Sequence, residues 1–67
     1  MKKLVLNGQQ QRVGDAATLL DVVRPLFRAK TGMVIELNGH IIPENRLAEV
    51  PLHDNDRIEL IQIVGGG

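Results

Sequence analysis

The sequence predicts an α+β fold, a mixed sheet of four to five strands with one main helix packed across one face. Three observations carry that expectation. Asn7-Gly8 and Asn38-Gly39 each separate two short strand-like runs, which is the signature of a two-residue hairpin whose central residues both take positive φ. Between them lies one stretch with helical spacing, made of Leu19, Leu20, Val22, Val23, Leu26 and Phe27. Arg57 to Val64 is the longest strand-like run, and its later part is apolar on both faces.

Each element follows from its own residues. Lys3 to Leu6 alternates, with Leu4 and Leu6 on one face and Val5 on the other. After the first turn, Gln9 to Val13 returns as a polar strand suited to a solvated edge, anchored by Val13. Gly14-Asp15 breaks it. Thr18-Leu19-Leu20-Asp21 reads as a capping box, with the Thr18 hydroxyl and the Asp21 carboxylate satisfying each other's backbone N–H groups. Pro25 conflicts with a regular helix because it lacks an N–H and clashes with the preceding turn, so a kink or an irregular last turn is expected. Gly32 is expected to close the helical segment. Met33 to Leu37 and Ile41-Ile42 flank the second hairpin, and Pro43 stops the return strand. Glu44 to Leu52 has no clean period and reads as a loop with one helical turn, pinned by Leu47 and Leu52. Asp54-Asn55-Asp56 is a turn in which Asn55 takes the left-handed region.

A chain of 67 residues allows one domain, near the size where a single core buries roughly 60% of the unfolded surface. Apolar residues make up 43% of it, which is ordinary for a globular domain and argues against disorder. Phe27 is the one aromatic, so Leu, Ile and Val must build the core. Zero net charge and the lack of stacking aromatics argue against nucleic-acid binding. No apolar run approaches the roughly 20 residues that span a bilayer, and no signal-peptide pattern opens the chain, so a cytoplasmic protein away from the membrane is expected. The absence of cysteine removes a thiolate nucleophile, a disulfide and a thiolate zinc site.

The helical stripe would lie over Leu4, Leu6, Val13, Ile35, Leu37, Ile58 and Leu60. A hairpin, a helix and then further strands, with the long last strand central beside the first, is the β-grasp arrangement. It places Val5, Ile61 and Ile63 on the sheet face that the helix leaves open, as a candidate partner-docking patch. Residues 1–64 then form the domain, and Gly65, Gly66 and Gly67 form a flexible tail. Glycines bury nothing and are costly to order, but without Cβ atoms they can enter a channel too narrow for other residues. Extended, Val64 to Gly67 would reach roughly 13 Å.

Several of these stretches occur together, and in the same order, in a known family. They are the Asn7-Gly8 hairpin, the Thr18-Leu19-Leu20-Asp21 helix start, Leu37-Asn38-Gly39-His40-Ile41-Ile42-Pro43, Asp56-Arg57-Ile58-Glu59 and the glycine run. The chain resembles the ThiS family, the β-grasp sulfur carriers of thiamine thiazole biosynthesis, over essentially its whole length. It departs in having Asn55-Asp56 where Gly-Asp is common, and three glycines where two are usual; Gly66 and Gly67 match the family's pair and Gly65 serves as a hinge. The resemblance implies that the Gly67 carboxylate is adenylated by a ThiF-like adenylyltransferase. A persulfide donor then supplies sulfur to make a thiocarboxylate, and a ThiG-like thiazole synthase receives it. It implies a carrier rather than an enzyme, with no catalytic side chain and no bound cofactor, since ATP and magnesium belong to the partner. A MoaD-like molybdopterin carrier and a ubiquitin-like modifier or docking domain share the activated glycine carboxyl, and physics alone does not separate their fates.

Other candidate sites are weak. His40 and His53 lack a supporting set of metal ligands. Asp54 and Asp56 lack the remaining ligands of a calcium loop. Asp21 with Arg24, and Glu44 with Arg46, read as solvated surface charges.

Overall fold

The computed structural model describes residues 1–27 and 32–63. Its strands are β1 (Lys2–Leu6), β2 (Gln9–Val13), β3 (Gly32–Leu37), β4 (His40–Ile42) and β5 (Asp56–Ile63), forming one five-stranded sheet in the order β2-β1-β5-β3-β4. β5 is central, parallel to β1 and antiparallel to β3, while β2 and β4 return antiparallel on the outer edges. This is the expected mixed sheet, with all five strands present. The glycines of the tail, Gly65 to Gly67, lie outside the described residues, as does Val64.

Both Asn-Gly turns form as their chemistry requires. Asn7 and Gly8 have φ of 49° and 84°, Asn38 and Gly39 have 52° and 85°, and Asn55 has 71°. Asparagine tolerates this left-handed region because its short polar side chain can bond nearby backbone.

The helix α1 (Leu19–Val23) opens with the capping box. The Thr18 N–H donates to the Asp21 carboxylate at 2.8 Å, and the Asp21 N–H donates to the Thr18 hydroxyl at 3.4 Å. The backbone bond from Thr18 is the main reason the Asp21 carboxyl sits below its usual range, helped by the Thr18 hydroxyl and the Arg24 charge. Pro25 resolves its conflict by tightening the chain: Arg24–Leu26 is a 3₁₀ turn with the proline near its start, where no N–H is needed. The regular helix therefore ends at Val23, earlier than the apolar spacing suggests. Gly32 does not close it either, being the first residue of β3.

One core joins the helix to the sheet. Leu4, Leu6, Leu19, Val23, Ile35, Leu47, Leu52 and Ile58 are buried, and Val13, Leu37 and Leu60 pack against them. Leu47 and Leu52 come from the stretch without a period. Glu44–Glu49 winds as a 3₁₀ segment, and the Leu19 N–H donates to the Val50 carbonyl at 3.0 Å, tying this segment to the helix start.

Candidate functional site

The central strand β5 ends at Ile63, and in the sequence Val64 and the glycine run follow it; side chains from outside the strand hold it in place. Two asparagines do this, one from each hairpin. β1 ends at Leu6 opposite Ile58, while β5 continues to Ile63, leaving the Leu60 N–H without a strand partner on that side. The Asn7 Oδ1 accepts that N–H at 2.8 Å, and the Asn7 N–H donates to the Ile58 carbonyl at 2.9 Å. On the other side, the Asn38 Oδ1 accepts the Arg57 N–H at 2.9 Å.

Asn38 also holds the start of β5 from below. Its Nδ2 donates to the Asp56 Oδ1 at 2.9 Å, and the His53 N–H donates to the other carboxylate oxygen at 2.7 Å. Asp56 is only 7% exposed, and burying a carboxylate is tolerable only with donors of this kind. The preceding turn is clamped to β1: the Lys3 N–H donates to Asp54 Oδ1 at 2.9 Å, and the Asn55 N–H to the Lys3 carbonyl at 2.7 Å. This network was invisible from residue type alone. Asp56 reads as a turn residue, and only its alternation with Ile58 and Leu60 hints that it faces inward.

The three residues expected on the open face differ in exposure. Ile61 and Ile63 are exposed on it, at 47% and 53%. Val5 shares the face but is half-buried beside Arg57, which stands four positions before Ile61, or roughly 13 Å along the strand. The residue directly across from Ile61 is instead Val34 on β3, and a further exposed isoleucine, Ile41 on β4 at 67%, stands across from Glu36 in the next row. Ile41 could have been found by extending the alternation of β4, since it points opposite to Ile42. Gly65, Gly66 and Gly67, the expected reactive tail, lie outside the described residues.

The remaining candidates stay apart. His40 begins β4 opposite Leu37, and His53 contributes its backbone N–H to Asp56. Among the described residues no three His, Cys, Asp or Glu side chains gather as a metal site, and no helix is long and apolar enough to cross a membrane. Arg46 pairs with Glu49 at 3.9 Å rather than with Glu44, and both partners are exposed.

A mixed sheet with its last strand central, one helix across one face, and a glycine run following that strand define a β-grasp protein of the carrier type. The comparisons narrow this. The ThiS family model matches residues 3–67. The sulfur carrier protein ThiS of Bacillus subtilis is 35% identical, over 96% of this chain and 98% of its own. A thiazole synthase of Paramagnetospirillum magneticum is 29% identical over 97% of this chain, which spans only 20% of that protein's length. The crystal structure of the thiamine biosynthesis protein ThiS from Geobacter metallireducens superimposes with a TM-score of 0.76 at 24% identity, over 97% of this chain and 99% of that one, and so shares its fold. The chain belongs to the ThiS family.

Proposed function

We propose that this chain is the sulfur carrier of thiamine thiazole formation, and that it works through the main-chain carboxyl of Gly67 with no catalytic side chain of its own. The observation that carries the reading is the family match, which runs through the whole domain and the glycines to Gly67. An α-carboxyl has a pKa of about 3.3–3.7, so at neutral pH it is an anion and a poor electrophile. It needs a leaving group before sulfur can attack. In this reading a ThiF-like adenylyltransferase, using ATP and magnesium, joins the carboxylate oxygen to AMP and releases pyrophosphate. The terminal sulfur of a persulfide donor then attacks the carbonyl carbon and AMP leaves with the bonding pair, giving an acyl disulfide to the donor. A second thiol on the partner side attacks the donor sulfur, is oxidised to a disulfide with it, and releases Gly67 as a thiocarboxylate.

The absence of cysteine supports this division of labour, because the chain has no thiol on which to carry a persulfide. The likeness to one fifth of a thiazole synthase supports such a synthase as the sulfur acceptor, since there a stretch like this chain shares a polypeptide with it. The folded body docks outside the enzyme through the Ile61 and Ile63 face, while Gly65 and Gly66 pass into its active centre. The chemistry belongs to the cytoplasm, where ATP and persulfide donors are available.

Incubating the protein with its adenylating partner, ATP and a sulfur donor tests this by intact mass. One oxygen should be exchanged for one sulfur, and deleting Gly66 and Gly67 should abolish the change while the far-UV circular dichroism stays that of the parent. A deletion that unfolds the domain would make the tail structural and refute the reading.

A further inference from the structure

We infer that the adenylating enzyme, where it covers the open face of the sheet, places a cationic side chain, an arginine or a lysine, between its apolar contacts; this rests on the docking reading above, with that enzyme as the docked partner. The register of three strands carries the inference. One row across β4, β3 and β5 on the open face runs Ile41, Glu36, Glu59, and the next row along pairs Val34 with Ile61. Ile41 and Ile61 are exposed, and they stand on either side of the two carboxylates. A partner that covers both isoleucines must therefore cover Glu36 and Glu59 as well.

Covering a carboxylate strips its water, and without a compensating charge or hydrogen bonds that cost exceeds what the neighbouring aliphatic contacts return. Among the described residues no ion pair compensates it: the pairs are Met1 with Asp15 and Arg46 with Glu49, so neither glutamate takes part in one. Arg57 lies two positions before Glu59 on the same face and pairs with neither carboxylate. The two glutamates are also direct cross-strand partners, and like charges placed opposite one another weaken a sheet. The free protein is thus less stable than it would be with a neutral pair here, and a partner's cation relieves the repulsion. A guanidinium suits the position well, because its planar fork can bond a carboxylate with two donors and is more readily desolvated than an ammonium.

The full chain and its variants would be titrated against the purified adenylating partner by calorimetry at low and high salt, with carrier-dependent kinetics alongside. The double variant Glu36→Gln, Glu59→Gln should bind about tenfold more weakly, with a flatter salt dependence, because a charge pair across the interface has been lost. The KM for the carrier should rise with kcat unchanged. The free variant should melt at a higher temperature than the parent, a gain that a merely structural role for the glutamates would not give. Glu59→Gln alone, at an exposed position, should show the same effects in smaller measure and serves if the double variant misfolds. Unchanged affinity and salt dependence in the glutamine variants would overturn the inference. If Ile61→Glu still abolished binding in that case, the docking reading would stand without the cation; if Ile61→Glu also bound like the parent, the docking reading itself would fall.

Discussion

Replacing Asn38 by aspartate is a small change in shape with a large consequence. The substitution puts a second carboxylate oxygen where the Asn38 Nδ2 now donates, 2.9 Å from the Asp56 Oδ1. Arg57 keeps its acceptor, so the change isolates the contact with Asp56. The hydrogen bond lost is one to a charged group, worth about 1.5–3 kcal/mol. Repulsion adds to this. Two full charges 4 Å apart at an effective dielectric of 20 cost about 4 kcal/mol, an amount that rotation and proton uptake reduce. A net loss of about 3–4 kcal/mol at neutral pH follows. A core of this size rarely supplies more than about 3–5 kcal/mol, so the variant should sit near its unfolding midpoint.

Acid should restore the Asn38→Asp variant. In its folded state the two carboxylates share a proton, so the folded pair titrates above the unfolded value of about 3.9. Between those values the folded state binds more protons than the unfolded state, so stability rises as pH falls. The slope approaches about 1.4 kcal/mol per pH unit for one proton. Urea unfolding followed by far-UV circular dichroism, which needs no tryptophan or tyrosine, across a pH series would measure it. A variant whose loss relative to the parent is the same at every pH would refute the reasoning, because the damage would then not come from the Asp56 charge.

Asn7→Gly keeps the left-handed turn and removes only the acceptor for Leu60, so it should cost about 1 kcal/mol, with faster hydrogen exchange at the Leu60 amide as its specific mark. Thr18→Ala removes the hydroxyl half of the capping box, while the residue 18 N–H still donates to Asp21, and should cost about 1 kcal/mol in urea unfolding. Because the Asp21 carboxyl is held below its usual range, mainly by the residue 18 backbone N–H and then by the Thr18 hydroxyl, its stabilising contribution is present above the unfolded carboxylate range and is lost as pH falls through the lowered folded value. The gap between Thr18→Ala and the parent should narrow in acid only by the share that the hydroxyl contributes. Leu47→Ala, at a position with no exposure, should cost about 2–5 kcal/mol, and a loss well below that would deny the irregular segment its part in the core. Ile61→Glu should leave the melting temperature nearly unchanged and weaken partner binding, whereas Val5→Glu, half-buried, should lose more stability than Ile61→Glu does.

The hairpins, the cap and the central place of β5 were legible in the sequence because each is decided locally or by period. Asn-Gly commits the backbone to positive φ wherever it stands between strands, and Thr18 with Asp21 closes a loop of three residues. The early end of α1 was harder to place: Pro25 signalled irregularity, but whether the chain kinks or tightens into a 3₁₀ turn depends on what packs around Leu26. Leu47 could be named as an anchor without a conformation, because a 3₁₀ segment leaves no clean 3.6-residue stripe. The docking face was half legible. Alternation put Val5, Ile61 and Ile63 on one side of the sheet, but only the register shows that Val5 stands beside Arg57, Val34 across from Ile61, and Ile41 across from Glu36. The Asn38–Asp56 contact joins residues 18 apart, and no local pattern announces it.

In the proposed function a rigid body presents its own last carbonyl to another protein's active centre. Intact-mass analysis of the protein from cells actively making thiamine, followed by mapping of its C-terminal peptide, tests that claim most directly. A fraction of molecules should carry sulfur in place of one oxygen, located on the Gly67 carboxyl and absent from every side chain. Sulfur found elsewhere in the chain, or an unmodified Gly67 while thiazole is being formed, would contradict it.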